Sequence, residues 1–207
     1  MPKGKWAQGI TPRNLHCVIT DRLAVCERPG GYGDSHRKVR RQEEIIWIRE
    51  QGFHHVVSLS ASPHNLHNYD ELGVKWLHRP FPRADDAPRY LQTIYEDLQA
   101  HVDAGNAVLF HQEEVSDSLV GLMAGYVVWS NLVPETHKAT AVTEQIVGRR
   151  LGPRGRDLVT IAVEIRDQPL PPRPKAEPTT EPTGDDQGTA EEATETSAEG
   201  AAGQDEG

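Results

Sequence analysis

Cysteine is scarce in this chain, with Cys17 and Cys26 the only two among 207 residues. That excludes a disulfide framework and fits a reducing compartment in which both remain thiols. Nothing basic is placed by sequence to activate either, so both read as small buried strand residues. Long apolar runs are missing as well. No segment approaches the roughly 18 apolar residues that a membrane span requires, and residues 1–10 carry positive charge with no apolar stretch behind it, so no secretory signal is expected. A cytoplasmic protein is the resulting expectation. A basic excess is absent too: from Gln168 to Gly207 ten acids face only Arg173 and Lys175, which accounts for −8 of the net −9 and leaves −1 for residues 1–167. A nearly neutral folded part fits neither a strongly basic nucleic-acid domain nor a supercharged acidic one.

What is present divides into three parts: an N-terminal arm over residues 1–13, one α/β domain over 14–166, and a tail over 167–207. The tail is built of Pro, Thr, Glu, Ala and Gly, with Leu170 its single large apolar side chain. It buries too little to offset the entropy of ordering, so it is expected to be disordered and without a catalytic role. Within the domain, the apolar runs Cys17–Thr20 and Leu23–Cys26 around Asp21 and Arg22 predict a hairpin. Pro29, Gly30, Gly31 and Gly33 then predict a turn. Asp34 or Ser35 is the candidate cap of a helix through Ile48 that stops at Gly52. Strands are predicted at Phe53–Leu59, Val74–His78 and Ala107–Phe110, the last apolar throughout, as in a strand covered on both faces. Helices are predicted at His64–Leu72, Ala87–Ala104, Leu119–Trp129 and Glu135–Leu151. Asp157–Glu164 is apolar but of undecided type. Strands alternating with helices predict a central, mostly parallel sheet flanked by helices on both faces. Ligands of such sheets bind at the carboxyl ends of the strands, which singles out the loop from Ala107–Phe110 into Leu119–Trp129: His111, Gln112, Glu113, Glu114, Val115, Ser116, Asp117 and Ser118.

This segment resembles the cysteine-dependent protein phosphatases, particularly their dual-specificity branch. In that family a strand ends in His-Cys, five residues follow, and Arg then opens a mostly buried helix. Here Val108, Leu109, Phe110 and His111 supply the strand and its terminal His, five residues separate Gln112 from Ser118, and Leu119 begins the helix. Val74 to Asp86 is similar to the family's strand and general-acid loop, which makes Asp85 and Asp86 the vestigial acid candidates. The start matches too, with Asp21 to Ala24 and Glu27 to Gly30 ahead of a helix and the Val56 to Leu59 strand. The resemblance covers about residues 14–151 and implies a dual-specificity-phosphatase-like fold.

It also implies a thiolate nucleophile and an Arg clamp, and the chain carries neither. Gln112 stands where the family has its Cys, and a carboxamide offers no comparable nucleophile. Ser118 replaces the Arg whose planar fork holds two phosphoryl oxygens. Val115 replaces the loop Gly and resists the left-handed geometry that lets successive amides converge on an anion. A carboxylate of Glu113, Glu114 or Asp117 about 5 Å from a phosphate dianion would repel it by about 6–7 kcal/mol at an effective dielectric of ~20. Losing a nucleophile costs on the order of 10⁶ in rate, or about 8 kcal/mol of barrier. The expectation is a catalytically inactive phosphatase-like domain that acts as a binding or regulatory protein, without cofactor or metal. Its partner is expected to be another protein, with no nucleic acid or membrane involved. The competing reading is weak hydrolysis through Ser116 or Ser118 activated by His111 or a neighbouring acid. A phosphopeptide reader is a third.

Several features have two readings. Asp117 or Glu114 is expected to cap the loop amides that would otherwise take phosphate. His54 with His55, His64 with His67, and His111 with Glu113, Glu114 and Asp117 are the nearest approaches to metal-ligand spacing. The basic run His36 to Arg41 reads as a solvated helix face, with Arg40 and Glu44 at i,i+4. Gly121 and Gly125 mark either a helix–helix contact or, more plainly, close packing on the sheet.

Overall fold

Residues 8–31, 38–82 and 86–171 are described by a computed structural model of the chain. The candidate caps Asp34 and Ser35, the candidate acid Asp85 and the tail beyond Pro171 lie outside them. The chain divides into units 1–171 and 172–207, and every element below belongs to the first.

The predicted hairpin forms from β1 (His16–Ile19) and β2 (Leu23–Glu27), closed by Asp21 at a positive φ of 58° and by the Arg22 amide donating to Ile19 at 3.1 Å. The chain continues through α1 (Lys38–Glu50), β3 (Phe53–Ser58), α2 (His67–Glu71), β4 (Lys75–His78), α3 (Ala87–Asp103), β5 (Ala107–Gln112), α4 (Asp117–Trp129), α5 (Thr136–Val147) and α6 (Pro153–Asp167). The five strands lie in the order β1-β2-β5-β3-β4, with β1 antiparallel to β2 and all other pairs parallel. β5 is therefore central, and its carboxyl end presents the loop.

Alternation along the strands feeds two apolar layers. Leu23, Val25, Val57, Val108 and Phe110 face a layer built with α3 to α6. Ala24, Cys26, Val56 and Leu109 face the smaller one under α1 and α2. Both faces of the inner strands are thus covered, which is why β5 reads as an unbroken apolar run.

α4 runs through the larger layer and is buried without interruption from Leu119 to Val128. Its glycines serve helix–helix contacts, correcting the plainer expectation of packing on the sheet. A Cβ on Gly121 would lie 2.4 Å from the Gly155 Cα, and one on Gly125 would meet the Tyr95 hydroxyl and the Ala162 Cβ. The undecided stretch Asp157–Glu164 is the body of α6, the helix that packs there. α5 ends earlier than expected because Gly148 takes a left-handed φ of 70°.

Two further expectations are corrected. Cys26 is buried, but Cys17 is exposed, because β1 is an edge strand. The Arg40–Glu44 pair forms at 2.8 Å, yet Glu44 is 1% exposed and Arg41 is 7% exposed, so that face of α1 is not simply solvated. Glu44 also accepts the Gly30 amide at 2.7 Å, and Arg41 donates to Asn68 Oδ1 at 2.6 Å. These contacts hold α1 to the turn after β2 and to α2.

Gly121→Ala should force α4 and α6 apart and cost about 3 kcal/mol. A drop in the urea midpoint at unchanged slope would register it.

Candidate functional site

The loop begins on the sheet itself. β5 extends to Gln112, which pairs with Glu27 of β2, while His111 lies between Cys26 and Ser58. The Arg28 amide donates to the Gln112 carbonyl at 2.7 Å and the Leu59 amide to that of His111 at 2.8 Å. Backbone bonds from both neighbouring strands thus fix where the Gln112 side chain starts.

At the helix end the organiser is Ser116. It is the N-cap of α4, with extended backbone (φ −78°, ψ 166°), and its Oγ accepts the Leu119 amide at 3.2 Å. The same hydroxyl donates to Gln112 Oε1 at 2.5 Å. The carboxamide at the head of the loop and the hydroxyl at its foot are therefore joined directly. Between them Val115 is buried, its carbonyl accepting Arg149 Nη1 at 2.7 Å. None of the residues from His111 to Ser118 has positive φ, consistent with Val115 resisting the left-handed turn.

The three acids of the loop go separate ways. Asp117 reaches α6, where Oδ1 accepts the Gly152 amide at 2.6 Å and Oδ2 the Gly155 amide at 2.8 Å. The expectation that Asp117 or Glu114 caps the loop's own amides is corrected accordingly: Asp117 caps another helix, whose N-cap Gly152 has no side chain to do so, and Glu114 is exposed. Glu113 is half-buried, 3.7 Å from Arg28 Nη1. Outside, an open hollow of about 520 Å³ is lined by Arg13, Glu27, Glu113 and Glu114, and Asn14 donates to Glu27. Its mouth holds three carboxylates and one guanidinium.

His111 is fully buried with neither ring nitrogen hydrogen-bonded, and its ring lies 5.9 Å from that of Tyr69. Burial, then the charges of Arg28 and His78, push its pKa down to about 3. It makes no hydrogen bond to Ser116 or Ser118, so the serine–histidine relay of the competing hydrolytic reading is not assembled. Neither thiol substitutes for the missing nucleophile. Cys26 lies beside His111 but is buried, and burial followed by Glu44 and Glu27 pushes its thiol pKa up. Cys17 pairs with Ala24, three rungs before the Glu27–Gln112 pair.

Ser118 is half-buried in the first turn of α4, which begins at Asp117, two residues before the expected start at Leu119. Asp86 is exposed at the N-cap of α3 and makes no side-chain capping bond. Among the described residues no three His, Cys, Asp or Glu converge in a metal-binding arrangement. His54 accepts the Ala107 amide at 3.1 Å, whereas His55, its neighbour on the strand, lies against His101 with ring centroids 4.1 Å apart. His64 and His67 are exposed. Sequence reasoning missed Arg28, Tyr69 and Arg149. Arg28 was within reach, since a residue just past a strand paired with β5 must lie beside the loop's first residues.

With strand, loop and helix placed, the chain superposes on solved phosphatases. The fold is that of the dual-specificity and protein-tyrosine phosphatases. Tk-PTP in its active form matches with a TM-score of 0.59 at 17% identity, over 73% of this chain and 97% of that one. Kinase associated phosphatase, with its catalytic-site cysteine substituted by serine, matches at 0.60 and 16% identity over 76% and 96%. Human DUSP28 matches at 0.56 and 16% over 76% and 99%. No protein-family model and no curated protein sequence matches. No helix among the described residues is long and apolar enough to cross a membrane.

Removing the Asp117 carboxylate (Asp117→Ala) should strip α6 of its cap and cost about 2 kcal/mol, read from chemical denaturation. A second expectation concerns acid. Because the folded pKa of His111 lies below its ordinary 6.5, the unfolded chain binds the extra proton between those values. Stability is therefore unaffected by this residue above pH 6.5 and falls as pH drops towards 3, by up to about 1.4 kcal/mol per unit. NMR of the imidazole should find it still neutral at pH 5.

Proposed function

We propose that the chain is a catalytically inactive phosphatase-like domain that acts as a binding or regulatory protein. The observation that carries this reading is the hydrogen bond between Gln112 and Ser116, which closes the loop with a carboxamide where the fold's relatives carry an attacking thiolate. Ser118 supplies no guanidinium for phosphoryl oxygens. Depressed basicity makes His111 a poor proton acceptor near neutrality. His111 therefore activates neither serine of the hydrolytic alternative, and Ser116 is already committed as a cap.

The partner is a protein, and the charge at the mouth of the loop favours a cationic segment over a phosphorylated one, since Glu27, Glu113 and Glu114 outnumber Arg13. Cytoplasmic residence belongs to the same reading, as the exposed thiol of Cys17 persists in a reducing compartment.

An aryl phosphate assay on the full chain tests the proposal. Turnover should be indistinguishable from buffer, and phosphate or vanadate should leave the melting temperature unchanged. Gln112→Cys alone should also stay inactive, because the thiolate would face Glu113 and Glu114 without an arginine clamp. Turnover in the unaltered chain that disappears on changing Ser118 or Asp86 would overturn the reading.

A further inference from the structure

Three imidazoles meet at the end of β5 remote from the loop, where α3 turns into the strand. His54 and His55 lie at the start of β3, and His101 lies in the last turn of α3. The pairing of β3 with β5 is irregular there. Phe53 faces Ala107 and His55 faces Val108, which leaves His54 as the extra residue of a bulge. Nδ1 of its ring accepts the Ala107 amide at 3.1 Å. His101 stands in a similar relation to the residue before: its Nδ1 lies 3.5 Å from Asn106 Nδ2, and its carbonyl accepts the Asn106 amide at 2.9 Å. His55 completes the group, with its ring centroid 4.1 Å from that of His101 and its Nδ1 buried without a hydrogen-bond partner.

Each of these contacts suits a neutral ring. A nitrogen that accepts an amide must have its lone pair free, and a protonated imidazole has donors at both nitrogens. A proton on His54 Nδ1 therefore sets donor against donor and breaks the bond to Ala107. On His101 the same proton faces the Asn106 amide nitrogen, which can only donate. Two charged rings stacked this closely would also repel each other. The surroundings add to this. Lys75 of β4 pairs with His55, Arg22 reaches the turn at Gly105, and Arg79 lines one hollow with Asp97 and His101. On the acidic side are Asp97, Asp103 and, beside His54, Asp21. Asp103 accepts from Gln99, and among the described residues no carboxylate forms an ion pair with any of the three rings. Burial, then the charges of His101, Lys75 and His54, hold the His55 pKa below its ordinary 6.5. The unfolded chain thus takes up this proton first, so the cluster is at full strength above that value and weakens as pH falls below it.

We propose that His54, His55 and His101 form an acid-sensitive latch, which holds the start of β5 to β3 and α3 while the rings are neutral and releases it as they take up protons. Asp97, one helical turn before His101, is the group towards which a charged His101 ring turns once the stack parts. The latch lies at the opposite end of β5 from the loop and does not depend on whether the loop is catalytic.

Backbone amide exchange of the full chain at pH 7.5 and pH 5 tests it. Protection of the Ala107 amide, taken relative to that of buried Val120 in α4, should fall about tenfold or more on acidification. Asn at positions 54 and 101 keeps a side-chain acceptor near each Nδ1 and removes the proton sites, so in the His54→Asn, His101→Asn double variant the ratio should stay nearly level. Independently of any variant, nitrogen NMR at pH 7.5 should find His54 Nδ1 unprotonated. An Ala107 ratio that does not change with pH, an equal acid response in the double variant, or a proton on His54 Nδ1 at pH 7.5 would each overturn the proposal.

Discussion

One carboxylate organises the helical side of this fold. Asp117 opens α4, yet both of its oxygens serve the amino end of α6. A helix beginning with Gly152 and Pro153 has no cap of its own, and its free amides would be buried at a cost. With Asp117 bridging the two starts, Gly121 and Gly155 are brought to a backbone separation that admits no Cβ. The close crossing buries α4 on every side, and a buried α4 holds Ser116 where its hydroxyl meets Gln112. Loop closure and core packing are thus parts of the same arrangement.

The same bridge explains why the acidic loop is less uniformly repulsive than its composition implies. Of its three carboxylates, Asp117 accepts two amides of α6 and Glu113 lies near Arg28, which leaves Glu114 facing water. The remaining negative character belongs to the mouth, where Glu27 joins from β2. Sequence places all three acids within five residues, but only the fold separates structural from surface charge.

Much of the fold was legible because its signals are local. The apolar run of β5, the hairpin around Asp21 and the three- and four-residue spacing of Leu91, Ile94, Leu98 and Val102 in α3 each declare themselves within a few residues, and the spacing from Gln112 to Ser118 located the loop. What escaped depended on distant partners. α6 was undecided because its cap comes from Asp117 and its opening of Pro153 and Gly155 reads locally as a loop. The role of Asp117 is hidden for the same reason, since the amides it accepts lie 35 and 38 residues further on. Cys17 was expected inside because alternation alone does not reveal which strand is the edge. The burial of Arg41 and Glu44 followed from Asn68 and Gly30, neither of them on α1.

The unequal fate of the two cysteines gives the molecule an internal clock. Cys17 stands open to reagents, whereas Cys26 lies under α1 and α2 against the sheet. Once the outer sulfur is blocked, any alkylation of the inner one reports the moments when those helices lift, and its rate measures the free energy of that local opening without a probe being added.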